Sequence, residues 1–593
     1  MKSAGKLKGI RLIFSAFCHF LVTRPFHAGD RWVRAVLRAP LSADWDPMRP
    51  QATLELSVNF TVPAEGWPIY RKAPPHIRLA WDDGRAQMHG KPDCKLGRPV
   101  PGRAGLPEEG VFAWWHWDGA GLEAGVDPLG FYSLFLYQKG EEVALSPSIL
   151  QLIAEGADPE LDERALAVFY RLGMFVNGDT PFRYIKVLPP GGVFRWRDGR
   201  AEQPQDHSFI PRVQQISRAE AVEGIVTLAR DSVGRILDDW DQPVLLPLSG
   251  GRDSRHILLA MDHLGQRPEL CVSFQNAAMR VDPDAQSARA LCERMGVAHK
   301  ILGKPRMRPQ DLLRCQVLNS LCSDEHMQML ALHDFLFGGP WAVLDGIAGD
   351  ILTNPDDDAE GHMRHAERGD YAAIARDMMD GHARVISKPG YPDGPGSRYA
   401  PGRRDEAIAY VGDCIARYGE AADPYQAWWF WNRTRREIGF VSSSIFGSAQ
   451  AVFCPFLAPD YVRFGLSLPY AVTRDQQLHN QALAKAYPAY ADVPFSEGIA
   501  PVYGAGSLAL KLGMVVKGVA LLLRLKPQHP LAEALGYLRG DAVLKRRPGE
   551  VLQLHHLILS GLDATLAREL LALGPRYAAY GRRNEVLDSF VPA

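Results

Sequence analysis

The sequence predicts an α/β chain in two main parts: a β-rich N-terminal region, then a doubly wound parallel sheet, with a helical region at the end. Three observations predict it. From about 30 to 205, alternating apolar and polar runs are separated by clusters of Gly, Pro and Asp, the pattern of half-buried strands and turns. Near 206–216 the texture changes and an amphipathic helix begins. Beyond it, short apolar runs alternate with helical patterns, the order of a parallel sheet with crossover helices.

In the first region, Thr53–Phe60 alternates cleanly, and Val111–Trp117, Phe131–Tyr137 and Val143–Ser146 are further strand runs. Leu188-Pro-Pro-Gly-Gly192 is a turn feeding a strand at Val193–Trp196. Ser217-Arg-Ala-Glu220 is a capping box, and Val222, Ile225, Val226, Ala229, Val233, Ile236 and Leu237 follow it at helical spacing. Pro243–Ser249 is a buried strand, Ser254–Leu264 a helix, and Leu270–Phe274 a second strand. Asp284–Met295 is a helix, and His299–Leu302 and Trp341–Leu344 are two more strands. Residues 355–405, rich in Asp, Gly and Pro, read as a loop-bearing insertion, and the chain from 406 onward as mainly helical. These patterns divide the chain into domains at 1–210 and 217–500, with a helical extension at 501–593.

Lys plus Arg number 67 and Asp plus Glu 68, so the net charge is 67 − 68 = −1, which gives no electrostatic footprint for nucleic acid. The eight cysteines (18, 94, 271, 292, 315, 322, 414, 454) form no CxxC, which argues against a disulfide framework or structural zinc and for a cytoplasmic location. Residues 1–22 carry three lysines before an apolar run, but Arg11 and His19 interrupt it and no clean cleavage site follows, so it is not read as an export signal. Lys511, Lys517 and Arg524 punctuate Leu508–Leu525, which reads as an amphipathic helix and not a membrane span.

The chemistry sits at Ser249-Gly-Gly-Arg-Asp-Ser-Arg255, between a strand and a helix. Two adjacent glycines let backbone approach an anion, and a helix N-terminus turns free N–H groups toward it. Ser249 and Ser254 add hydroxyls. Asp253 would be repelled by bare phosphate, so its role is to hold a divalent cation that bridges phosphate oxygens. The loop lacks the G-x-x-x-x-G-K-[ST] pattern, so simple γ-phosphate transfer is not expected. Arg252 and Arg255 flank it, the first set to meet phosphate charge, the second equally readable as a solvated helix residue.

These residues resemble the asparagine synthetase family, whose synthetase domain has an ATP-pyrophosphatase fold and an S-G-G-x-D-S loop, matched by Ser249, Gly250, Gly251, Asp253 and Ser254. Asp282-Pro-Asp-Ala285 resembles its D-E-x-x-x-A stretch, and Asp345-Gly-Ile-Ala-Gly-Asp350 its second glycine turn with a metal-binding acid. Cys454-Pro-Phe-Leu457 resembles its P-F-L-D segment. Asp127–Tyr132, Val143–Ser148 and Phe182–Gly191 resemble strands of its glutaminase-type, Ntn-hydrolase-like domain, so the resemblance spans roughly residues 110–500. It implies ATP and Mg²⁺, with Asp253 and Asp350 holding the metal. It places Leu248, Ser249, Gly250, Gly251, Asp253, Ser254, Val272, Ser273 and Gly346 around the nucleotide, and Asp253, Asp350 and Arg252 as catalytic groups.

The sequence also departs from the family. Met1 is followed by Lys2 and the nearest cysteine is Cys18, so the N-terminal cysteine nucleophile of a glutaminase is missing and that activity is expected to be lost. Ile347 replaces a glutamate, and Pro494–Gly498 lacks the family's lysine, for which Lys485 or Lys304 are substitutes to consider. The expected activity is ATP-dependent amide ligation: a carboxylate activated as its adenylate, pyrophosphate released, an amine acylated. The substrate is a small acid or a peptide. The alternatives are intramolecular ligation, as in lasso-peptide macrolactam cyclases and β-lactam synthetases, which also lack that cysteine, and a non-catalytic ATP-binding scaffold. Partner proteins of a biosynthetic cluster are compatible with each.

Two features weigh against further sites. Trp428, Trp429 and Trp431, followed by Arg433, Arg435 and Arg436, read as a core helix with a charged end, and secondarily as a pocket wall. His362 and His365 read as surface histidines without a third metal ligand.

Overall fold

The structure is a computed structural model that describes residues 73–102, 108–275, 279–303, 309–336, 339–355, 358–386, 402–503, 555–556, 558–572 and 586–592. The expected strand at Thr53–Phe60, the N-terminal apolar run with Cys18, the helix at Leu508–Leu525, and Lys304 lie outside the described residues.

Among the described residues, ten strands precede residue 203: β1 (Ile77–Asp82), β2 (Arg85–Gly90), β3 (Asp93–Val100), β4 (Glu109–Trp117), β5 (Gly121–Val126), β6 (Phe135–Lys139), β7 (Glu142–Ser146), β8 (Ile185–Val187), β9 (Val193–Arg197) and β10 (Arg200–Glu202). They build two antiparallel sheets, ordered β2-β1-β7-β6-β8 and β10-β9-β5-β4-β3. Alternation decides which face is buried: in β4, Val111, Ala113 and Trp115 point inward between half-exposed neighbours. The β1–β2 hairpin turns on Asp83 and Gly84, both at positive φ, the turn chemistry that matches strand twist. Phe131, expected at a strand start, instead lies in a turn. Asp127 closes that turn, its carboxylate accepting from the backbone N–H groups of Leu129, Phe131 and Tyr132.

The second half begins as expected. Ser217 caps the helix Arg218–Asp239, and Glu220 returns the bond to the Ser217 N–H. β11 (Val244–Pro247), β12 (Leu270–Gln275), β14 (His299–Gly303), β15 (Ala342–Leu344) and β16 (Ala451–Phe453) follow, with β13 (Met279–Val281) set aside. With β18 (Val586–Phe590), the sheet order is β16-β15-β11-β12-β14-β18, parallel except for the last strand. The molecule is thus mixed α/β, with antiparallel sheets before residue 203 and a largely parallel sheet after 243. β16 lies against β3 and β4, and one apolar cluster runs from Ile77 to Val493 across both halves.

Two expectations need correction. The 355–405 stretch carries two helices, Ala359–Glu367 and Tyr371–Ile386, because its apolar residues recur at helical spacing between the Asp- and Gly-rich segments. The C-terminal region is not only helical: β17 (Val502–Tyr503) pairs with β13, and β18 (Val586–Phe590) pairs antiparallel with β14. β18 completes an edge that β14 would otherwise leave unpaired. Among the described residues, no helix is long and apolar enough to cross a membrane.

Candidate active site at the sheet crossover

β11 is flanked by β12 on one side and by β15 on the other. The chain leaves β11 toward β12 and β14, then returns to β15 and β16 across β11. The carboxyl ends of β11 and β15 are therefore the crossover point, where parallel sheets open a crevice for ligands. The two glycine turns singled out in the sequence sit there: Ser249–Arg252 after β11, and Asp345–Asp350 after β15.

The first turn is held from within. The Ser249 N–H donates to Oγ of Ser254 (3.1 Å), and the Gly251 N–H to Oγ of Ser249 (3.2 Å). Ser254 is buried, so its hydroxyl braces the loop, whereas Ser249 is exposed. The helix Asp253–His263 starts at Arg252 without a side-chain cap, so its first N–H groups keep the unmet donors of a helix N-terminus. Leu248 and Val272 lie beneath: the Leu248 N–H donates to the Val272 carbonyl (2.8 Å). Ser273 is buried there too, its hydroxyl donating to the Leu248 carbonyl (2.7 Å) and touching Nε2 of His299 (2.7 Å).

The turns close on each other through glycine. A Cβ at Gly349 would lie 2.8 Å from Cγ of Asp253, and one at Gly346 2.9 Å from Cβ of Asp253. Only a residue without a side chain permits this approach. Ala348, between them, holds φ at +76°, a left-handed conformation unusual for alanine. The Asp350 N–H donates to the Asp253 carboxylate. Burial first, then the neighbouring Asp350, push Asp253 well above the usual carboxylate range. Its side chain keeps 24% of its surface open, yet Oδ1 is sealed and has no hydrogen-bond partner. Asp350 is half exposed, bonded by the Asn354 amide. Asp345, which sequence reasoning passed over, accepts from the Ser442 hydroxyl (2.7 Å), and burial raises it to about 6.

Arg252 is the cation nearest these acids. Its Nη1 lies 4.0 Å from Asp350, while Nε donates to Asn480 (2.7 Å) and Nη2 to Glu497 (3.1 Å). The Pro494–Gly498 segment does lie on the loop, as its Ser496 N–H donates to the Gly250 carbonyl (3.1 Å), but it brings Glu497 and no lysine. Lys485 does not substitute: it is exposed and pairs with Glu223. Ile347 is buried in the core.

Arg255 is neither a phosphate ligand nor a solvated residue. It is buried, donates to the carbonyls of Val493 and Pro494 (both 2.8 Å) and to Ser287 (2.9 Å), and lies 4.0 Å from the Phe495 ring. It pins the segment that covers the glycine turn. Arg255→Met is expected to speed amide exchange across Val493–Gly498 by about 100-fold, as two hydrogen bonds of about 1.5 kcal/mol each are lost. Hydrogen–deuterium exchange at peptide resolution reads this directly, and unchanged protection there would refute the clamp.

Behind Asp253 lies a histidine pair that no local sequence pattern marks. His479 Nδ1 is 3.8 Å from Asp253 Oδ1, His479 Nε2 is 3.0 Å from His256 Nδ1, and the Thr353 hydroxyl is 3.1 Å from His479. Burial holds His256 down to about 3 and His479 well below the ordinary histidine range, so both are neutral.

Family models and curated proteins gave no match to this sequence. Among solved structures, the chain is similar to a glutamine phosphoribosylpyrophosphate (PRPP) amidotransferase from B. subtilis complexed with ADP and GMP. The identity is 12%, covering 57% of this chain and 83% of that chain, and the TM-score of 0.14 is too low to establish a shared fold.

Proposed function

We propose that this chain is an ATP-dependent amide ligase of asparagine-synthetase type, which activates a carboxylate as its adenylate and passes the acyl group to an amine. One observation carries the reading: two glycine turns meet at the crossover of a parallel sheet, with Asp253 wedged between them. An uncapped helix N-terminus beside two glycines suits a pyrophosphate group. The part of the Asp253 side chain that stays open and the half-exposed Asp350 suit a hard divalent cation such as Mg²⁺, which takes one or two carboxylates and completes its shell with phosphate oxygens. When bound, that ion would offset the negative charge gathering on the leaving group.

The residues divide the work as follows. The Ser249 hydroxyl and the Gly250 N–H would offer donors to the leaving pyrophosphate, on a loop that the Ser249 and Gly251 N–H bonds hold in shape. Arg252 adds a positive charge from the side of Asn480 and Glu497, in place of the lysine of the resembled family. Leu248, Val272, Ser273 and Gly346 shape the floor beside the nucleotide. The neutral His479 backs Asp253 without competing for a cation. The acyl acceptor is free ammonia, a small amine, or an amine on the substrate itself.

The test is ATP–pyrophosphate exchange with the full chain across a panel of small acids and peptides. Exchange that requires one acid, and falls at least about 100-fold in Asp350→Ala, is the expected result. A folded protein that does not bind Mg-ATP would overturn the reading in favour of a non-catalytic scaffold.

A further inference from the structure

A second cluster lies away from the glycine turns, at the edge of the first antiparallel sheet. His76 immediately precedes β1, His89 lies in β2, and Glu155 ends the helix Ile149–Ala154. Arg78 opposes His89 in the hairpin register, so His76 and His89 are diagonal neighbours on one face of the ribbon. Nε2 of His76 lies 3.4 Å from Nδ1 of His89. Oε2 of Glu155 lies 3.8 Å from the former and 3.6 Å from the latter.

We propose that His76, His89 and Glu155 form a binding site for a transition-metal ion of zinc type, with a fourth position open to water or a ligand. The three distances define a triangle whose centre is about 2.1 Å from each corner, the length of a Zn–N or Zn–O bond. Two imidazoles and one carboxylate, from three different elements, form a donor set that zinc accepts with an open position. Hard Mg²⁺ prefers oxygen donors and has no claim on this set.

The surroundings fit the same assignment. The Gln151 amide donates to Oε1 of Glu155 (2.9 Å), which orients that carboxylate from its outer side. The Pro74 carbonyl accepts from the His76 ring. The Arg78 guanidinium nearby is engaged by Glu142 and by the Glu155 carbonyl. The metal would staple the β1–β2 hairpin to the end of the helix.

The test uses the full chain without an affinity tag, stripped with chelator and titrated with Zn²⁺ against a competing chromophoric chelator. Co²⁺ serves as the spectroscopic probe of geometry. One Zn²⁺ site is expected, weakened at least about 100-fold in His89→Ala and about 10- to 100-fold in Gln151→Leu. The His89 side chain is 70% exposed, so its removal leaves the fold intact, and circular dichroism verifies this. His116→Ala, an exposed histidine paired with Asp93, controls for adventitious surface binding and is expected to keep full affinity. Zn²⁺ affinity unchanged in His89→Ala, or lost equally in His116→Ala, overturns the assignment. Asp253→Ala is expected to leave Zn²⁺ binding unchanged, which keeps this result independent of the proposed ligase activity.

Discussion

Asp253→Asn is expected to lower ATP–pyrophosphate exchange by about 100- to 1,000-fold, the range for removing one fixed electrostatic contact from a reacting site. The same substitution is expected to change the pH dependence of stability, and the sign follows from the site. Burial and Asp350 hold the folded-state pKa of Asp253 above that of the unfolded chain. A raised carboxyl contributes stability that is fully present below the unfolded value of about 3.9. That contribution is lost as pH rises through the folded value. Without divalent ions, wild type should lose thermal stability relative to Asp253→Asn as pH rises from about 4 to neutrality. Added Mg²⁺ should restore the wild type and leave the variant unmoved. Asp127, raised to about 6 by burial and not among the charges acting on Asp253, titrates in the same window in both proteins and so cancels in the difference. Melting curves against pH, with and without Mg²⁺, decide the matter. Parallel slopes for the two proteins would mean that Asp253 is not the strained acid of the site.

Much of this centre was legible from sequence because its chemistry is local. Ser249–Ser254 announces itself by two glycines between an apolar run and a helix, and Asp345–Asp350 repeats the signal after β15. The β11, β12, β14 and β15 runs are short and flanked by turn residues, so their order could be read off directly. What stayed hidden comes from elsewhere in the chain. His479, Asn480 and Glu497 reach the site from more than 200 residues beyond the loop they serve. Nothing in their local pattern marks them. Arg255 was misjudged because a charged residue on a helix reads as solvated unless its acceptors, here the carbonyls of Val493 and Pro494, are known. His362 is likewise buried, its ring 4.3 Å from that of Tyr425, because the helix Ala359–Glu367 packs on the helix Pro424–Trp429.

The aromatic–basic stretch gives the sharpest case. Its expected charged end is buried: Arg435 and Arg436 are 4% and 1% exposed. The helix Pro424–Trp429 widens into a π-helical segment at Phe430–Ile438, and the wider turn shifts the apolar stripe that regular periodicity would follow. Arg435 and Arg436 both reach the Asn177 carbonyl (3.0 and 2.7 Å), and Arg436 also bonds the Asp179 carbonyl. Asn177 itself holds φ at +53°, and its N–H donates to Asn432 (2.7 Å). The two arginines thus fasten a turn of the N-terminal half to the helical half.

Arg436→Glu is therefore expected to cost about 4 kcal/mol or more, because a carboxylate there would be buried against the Asn177 and Asp179 carbonyl oxygens to which Arg436 now donates. Arg436→Met separates charge from packing. It relieves the desolvation of Nη1, which has no hydrogen-bond partner, and leaves Asn177 its bond from Arg435. Against that gain, the Asp179 carbonyl loses its Arg436 donor, and an unmet buried carbonyl costs about 1–3 kcal/mol. The expected net loss is about 2 kcal/mol, since the orphaned acceptor outweighs one relieved N–H. Thermal midpoints and soluble yield should rank wild type above Met and Met well above Glu. A Met variant as stable as wild type would mean that the turn at 177–179 finds its own donors and that the arginines are not the fastening.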